Sequence, residues 1–359
     1  MKKIFKLFNY FFIGFSYLAS KKIIVILIFS IFIILLSLLD KSYAYKIELD
    51  NINNVNLENK SLEEVKVYDN SAFVLPKNSA LNEKISCYNE KVDYNKLPAI
   101  VVDKINLLNE LFKSDVEHFS FLYRDIETGF TVSYNETGEI FVASTIKAPA
   151  VIYLYELASR GEINLDEKLT YTSNFYNKGS GVIKEDQVGS EYTVEKLLEY
   201  VIHYSDNIAY AMLMNRYGRD NIYNFWHDLG TNSIFKYNNI WGVTSANDAG
   251  IYMSELYRFY LENEEYGSKL MNLFKNAGWK MVSNKEGIFN TANKGGWSDK
   301  SFHDCAIVFE ENPYILIIMS NKGEGDYNTL FKKTNKLVGE LHEEYWRYKE
   351  SVCGNIKQY

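Results

Sequence analysis

The chain has 359 residues, 47% of them apolar and 24% charged, which excludes a disordered or collagen-like protein and is length enough for two or three domains. The net charge of −7 is uneven: residues 1–50 hold seven Lys against three acids, so the other 309 residues carry −11. An acidic body argues against nucleic acid as the main partner, because phosphate binding needs a basic face.

Residues 1–22 read as a short basic cytoplasmic segment with Lys2, Lys3, Lys6, Lys21 and Lys22. Ile23–Leu39 follows as an uncharged apolar run, the short end of what spans a bilayer. Positive charge before the run orients the rest of the chain outside the cytoplasm. Two readings fit: a retained single-pass anchor, or a signal core cleaved near Ala44, where Ser42-Tyr43-Ala44 offers small residues to a peptidase. Either way the body is expected to be extracytoplasmic, at the cell membrane or secreted.

Residues 40–95, rich in Asn, Glu, Lys and Asp, read as a stalk or lead-in. The folded domain is expected over 96–350. Ile100 to Leu111 has helical spacing. Phe119 to Tyr123 and Gly129 to Tyr134 read as strands joined through a turn at Asp125 to Thr128. Glu139 to Ser144 leads into an apolar helix ending near Ser159, and residues 165–275 are mainly helical. Asp304 to Phe309 and Tyr314 to Met319 read as strands, and Thr329 to Lys349 as a long amphipathic helix. Strands at both ends around a helical middle predict an α/β (α+β) protein. Its antiparallel sheet is drawn from the N- and C-terminal parts and flanked by helices, with an all-helical lobe beside it. Three cysteines, Cys87, Cys305 and Cys353, form no CxxC or His/Cys cluster, so neither a metal site nor a cofactor is expected. Cys305, in an apolar run, reads as a buried thiol, and a Cys87–Cys353 disulfide is an open alternative to free thiols.

Ser144-Thr145-Ile146-Lys147 opens a helix directly after an apolar segment. Residues three apart share a helix face, which puts the Lys147 amine beside the Ser144 hydroxyl. A serine needs an adjacent base to become a nucleophile, and a lysine serves if burial or a second cation lowers its pKa. The same four-residue pattern recurs at Ser233 to Lys236. Only the first copy is followed by two further polar clusters: Ser205-Asp206-Asn207, which alone would read as a helix cap, and Lys294-Gly295-Gly296, which alone would read as a turn.

Together and in this order, these three clusters resemble the penicillin-recognising serine hydrolases, most closely the class A β-lactamase-like group. The resemblance covers residues 96–350. Gly179-Ser180-Gly181-Val182-Ile183 and His303-Asp304-Cys305-Ala306-Ile307-Val308 extend it. It implies Ser144 as acylated nucleophile, Lys147 as its base, and Ser205 as the proton carrier to the leaving nitrogen. It also implies Asn207 on the substrate amide and Lys294 on the substrate carboxylate, where Lys294 helps keep Lys147 neutral. The oxyanion hole would be the backbone N–H groups of Ser144 and Trp297, and Gly295 and Gly296 would let the substrate lie close to the strand.

Two departures stand out. Gly295 replaces the family's Thr or Ser, removing a hydroxyl. No Glu occurs between Glu199 and Glu255, where class A enzymes keep the carboxylate that hydrolyses the acyl-enzyme; Asp228 and Asp248 are poor substitutes, Asp248 reading as a cap for a helix over Ala249 to Leu261. The substrate expected is therefore a β-lactam or a peptidoglycan stem peptide, with D,D-peptidase-like turnover favoured. A working β-lactamase with another deacylating group is the alternative, followed by a tethered sensor that stays acylated and by an inactive binding relative.

Overall fold

The computed structural model describes residues 65–69, 96–113, 118–236, 240–322 and 327–356, which belong to one compact unit beginning at residue 62. Its frame is a six-stranded antiparallel sheet in the order β1-β3-β2-β10-β9-β8. The strands are β1 (Val65–Asp69), β2 (Phe119–Asp125), β3 (Phe130–Tyr134), β8 (Thr291–Ser298), β9 (Ser301–Val308) and β10 (Tyr314–Ser320). The first three come from the N-terminal part and the last three from the C-terminal part, and the seam is the β2–β10 ladder, Ile317 opposite Leu122.

Both faces of the central strands are buried, and alternation sorts their side chains between two cores. Ile315, Ile317 and Met319 of β10 face the helical lobe, whereas Tyr314, Leu316 and Ile318 face α1 (Ala99–Lys113) and α8 (Tyr327–Ile356). The hairpin turn expected at Asp125 to Thr128 forms, with Asp125 Oδ1 accepting from the Thr128 N–H at 2.7 Å and from its hydroxyl at 2.6 Å.

The other face carries the helical lobe: α2 (Lys147–Ser159), α3 (Val194–His203), α4 (Asn207–Tyr217), α5 (Arg219–Asp228), α6 (Ala246–Glu262) and α7 (Glu264–Lys275). Two small ladders brace it. One pairs β4 (Ile140–Phe141) with β7 (Val243–Thr244), the other β5 (Lys168–Thr170) with β6 (Glu191–Thr193).

Several expectations are modified. Val65–Asp69 lies inside the stretch read as a stalk, yet it pairs with β3 as the edge strand, Val67 opposite Val132. Lys294-Gly295-Gly296, which alone would read as a turn, lies in the middle of β8, so Lys294 stands on a strand as the three clusters taken together imply. The helix expected to start at Ala249 begins at Ala246. Its N-cap is Ser245, whose hydroxyl accepts from the Asp248 N–H at 3.1 Å, so Asp248 sits inside the first turn rather than at the cap.

Cys305 is a fully buried free thiol, and burial pushes its pKa up to about 12. Cys353 is disulfide-bonded, and Cys87 lies outside the described residues. Ile23–Leu39 and Ala44 lie outside them too; no helix among the described residues is long and apolar enough to cross a membrane.

Candidate active site

Ser144 lies on a 3-10 turn, Ala143–Ile146, that runs straight into α2. In a 3-10 turn residues i and i+3 eclipse, which stacks Lys147 on Ser144. The preceding Ala143 has φ +45°, a strained left-handed conformation for a residue with a Cβ, and Ser205 has φ +51°. Two of the motifs are thus presented by backbone that the surrounding fold must hold in place.

Lys147 is fully buried. Its Nζ is 3.1 Å from Ser144 Oγ and 3.2 Å from Ser205 Oγ, and it donates to Ser205 O and Asn207 Oδ1, both at 2.6 Å. Burial pushes the amine well below the ordinary lysine value; the Lys294 cation pushes the same way and Asp206 opposes. The Tyr210 and Trp241 rings pack around it, their centroids 5.9 and 5.3 Å from Nζ. A neutral amine has two N–H bonds and one lone pair. The two carbonyl acceptors fix the N–H bonds, which leaves the lone pair for a hydroxyl proton.

Lys294 reaches the same point from β8, donating to Ser205 Oγ at 3.0 Å and to Gly295 O at 2.9 Å. Burial lowers it to about 8, against the pull of Asp304 and Cys305. Gly296 brings β8 against the backbone of Ser144. A Cβ there would lie 2.8 Å from Ser144 N and 2.9 Å from Thr145 N, so only glycine permits this approach. Trp297 follows it with its side chain 58% exposed.

The Ser205-Asp206-Asn207 cluster is anchored by its middle residue, which is a helix cap and more. Asp206 is fully buried; Oδ1 accepts from Ile208 and Ala209 N–H at 2.8 and 2.9 Å, capping α4. Oδ2 accepts from Val182 and Ile183 N–H at 2.6 and 2.9 Å. The Gly179 to Ile183 stretch explains itself here: a Cβ on Gly181 would lie 2.3 Å from Asp206 Cγ, and one on Gly179 would lie 2.3 Å from Asn207 Nδ2. Asn207 Nδ2 donates to Asn177 Oδ1 at 3.1 Å, which fixes the amide with one proton to spare.

The second copy of the pattern has different surroundings. Ser233 Oγ donates to Asp248 Oδ2, and Lys236 Nζ sits in an exposed ion pair with Glu139 at 2.7 Å. Asp248 Oδ2 also accepts from Asn232 and Ser233 N–H at 3.1 and 2.7 Å. Asp248 is therefore occupied in pinning this loop to α6. Asp228 is an exposed residue at the end of α5.

Residues 104–345 match the family described as the Beta-lactamase enzyme family, which is two thirds of the chain. The protein belongs to that family. Solved structures agree in fold. PBP-A is 18% identical with a TM-score of 0.61 over 67% of this chain and 96% of that one. A PBP-A mutant, solved as an acyl-enzyme complex with penicillin G, is 17% identical with a TM-score of 0.62, over 68% and 97%. A β-lactamase from Sphaerobacter thermophilus DSM 20745 is 16% identical with a TM-score of 0.57, over 72% and 98%. A comparison with curated proteins returned no match.

Within the β-lactamase family pattern, the Gly295 departure has a steric cause. A Cβ at Gly295 would lie 1.9 Å from Cε3 and Cζ3 of Trp279, whose ring covers that position. Neither Trp279 nor Trp241 could be read from sequence motifs, since each meets the site only through tertiary packing. Asp304 is another such residue. Burial pushes it up to about 6, while Oδ2 accepts from Met281, Val282 and Asn293 at 2.7, 2.8 and 2.7 Å, holding the segment before β8 against the sheet.

Proposed function

We propose that this chain is a serine acyl-transferring hydrolase of the penicillin-binding type, acylated at Ser144 by a β-lactam or by the terminal amide of a peptidoglycan stem peptide. One observation carries the reading: a single buried, low-pKa amine, Lys147, lies within hydrogen-bond reach of both the Ser144 and Ser205 hydroxyls.

In the proposed acylation, neutral Lys147 takes the Ser144 proton as Oγ attacks the substrate carbonyl carbon. The Oγ–C bond forms and negative charge gathers on the carbonyl oxygen. The backbone N–H groups of Ser144 and Trp297 receive it, at the place where Gly296 lets the strand close in. The C–N bond then breaks. Lys147 returns its proton through Ser205 Oγ to the leaving nitrogen, while Lys294 donates to that oxygen and keeps Lys147 neutral by like-charge repulsion. The spare Asn207 proton meets the substrate's side-chain amide.

Deacylation is the weak half of the cycle. Lys147 has aromatic rings beside it, and Asp248 spends its Oδ2 on Asn232 and Ser233. This supports D,D-peptidase-like turnover over rapid β-lactam hydrolysis. The proposal also places the body outside the cytoplasm, tethered through Ile23–Leu39; protease should reach it in intact cells stripped of their wall, and protection there would refute the placement. The chemistry is tested by incubating the protein with benzylpenicillin and following intact mass. A persistent adduct supports the reading, and turnover without an accumulating adduct favours the β-lactamase alternative. No adduct and no turnover with either benzylpenicillin or its methyl ester refutes the acyl chemistry.

A further inference from the structure

The family's third cluster normally presents a hydroxyl where this chain has Gly295. The structure shows more than a missing group. The Trp279 indole lies on Gly295 so closely that any side chain there requires the ring to move. Gly295 is buried beneath it, while Trp279 itself stays partly exposed. By strand alternation Trp297 shares the face of Gly295. Trp297 is opposite Phe302 in the β8–β9 ladder, and the Phe302 ring meets Trp279 edge-on with centroids 5.4 Å apart. The result is an aromatic shelf, half-open to solvent, along the strand that passes Ser144.

Among the described residues, neither an arginine nor Lys280 replaces the lost hydroxyl with a carboxylate clamp. The chain has six arginines and all are engaged elsewhere. Arg124 is buried on Thr131 and Ser254, Arg160 pairs with Glu162, and Arg216 with Glu167. Arg219 pairs with Asp220, Arg258 with Glu156 and Glu255, and Arg347 with Glu343. Lys280, next to Trp279, turns inward and donates to the Lys275 and Thr291 carbonyls at 2.6 and 2.9 Å. Lys294 already directs two of its three protons to Ser205 Oγ and Gly295 O.

We propose that the site selects ligands whose group over Gly295 is uncharged, an amidated or esterified carboxyl rather than a free carboxylate, and that Trp279 sets this preference. A flat neutral group stacks on the shelf at a small desolvation cost, whereas a carboxylate brought there is desolvated with a single incomplete partner at a much larger one. The inference rests on the acyl chemistry proposed above and names the substrate class of that site.

The test compares acylation of the full-length protein by benzylpenicillin and by its methyl ester, followed by intact mass and corrected for each compound's reactivity toward hydroxide. A site with a working carboxylate clamp favours the free acid by about 10- to 100-fold, the worth of one hydrogen bond to a charged group. Here the ester should react at least as fast as the acid. The double variant Trp279→Ala, Gly295→Thr clears the shelf and restores the hydroxyl; it should shift the ratio toward the acid by about tenfold. Faster acylation of the unaltered protein by the free acid than by the ester overturns the inference while leaving the acyl chemistry intact. Adducts from neither compound overturn both. The unaltered protein decides the matter even if the double variant fails to fold.

Discussion

Ser144 to Lys147 and Ser233 to Lys236 spell the same pattern of Ser, two residues and Lys, and the fold treats them oppositely. At the first, the amine is buried, its pKa is driven down, and a second cation arrives from β8. At the second, the amine is half-exposed in an ion pair and the hydroxyl is spent on the Asp248 carboxylate. The pattern supplies reach; burial and neighbours supply reactivity. An exposed lysine stays protonated and cannot accept a proton, so spacing alone predicts nothing about nucleophilicity.

The sharpest way to break this contrast is to remove each serine. Ser144→Ala should abolish any covalent adduct with benzylpenicillin, and Ser233→Ala should leave it unchanged by intact mass; an adduct surviving in Ser144→Ala contradicts the whole assignment. The lysines come next. Lys147→Ala should slow acylation by about 10²–10⁴-fold, the usual worth of a general base, with Lys236→Ala indistinguishable from the parent in the same stopped assay.

The carboxylates separate the two regions by stability. Asp206→Ala strands four backbone N–H groups, those of Val182, Ile183, Ile208 and Ala209, and should cost about 2–5 kcal/mol in urea unfolding. Asp248→Ala strands two N–H groups and should cost about 1–3 kcal/mol. It releases Ser233, yet no second adduct should appear, because Lys236 remains an exposed cation.

The smallest effect is in the pH profile. The proposed acylation requires Lys147 neutral and Lys294 charged. As pH rises, the rate should climb through the depressed Lys147 pKa, well below the usual lysine range, and then fall as Lys294 loses its proton near about 8. Lys294→Ala should remove the alkaline limb. An alkaline limb retained in that variant would assign the descent to another group.

The sequence singled out Ser144, Lys147 and Ser205, which the fold brings together, because each stands in a short run with local meaning. The β2–β3 hairpin was legible for the same reason, through alternation and a turn. What it could not show were partners made by folding. Gly295 reads only as a lost hydroxyl until Trp279, sixteen residues earlier, is seen lying on it. Asp206 reads as a helix cap, and half of it is; its other oxygen holds Val182 and Ile183 across the lobe. The extent of β8 was not legible because Asn, Lys and two glycines carry little strand propensity, and its place comes from the ladder with β9, Gly295 opposite Asp304. β1 was hidden because five residues of modest hydropathy in a polar stretch gain their order from the open edge of β3.

The central claim is that one environment makes Ser144 an acyl acceptor, while the lack of any Glu between Glu199 and Glu255 and the engagement of Asp248 leave the ester long-lived. Intact-mass spectrometry of the full-length protein with benzylpenicillin, sampled from about a second to an hour and followed by peptide mapping, tests it directly. With about 10²–10⁴-fold of general-base assistance missing, the account predicts a single adduct, mapped to Ser144 and persisting for minutes or longer. An adduct on any other residue, or one on Ser144 that clears within about a second, would contradict it.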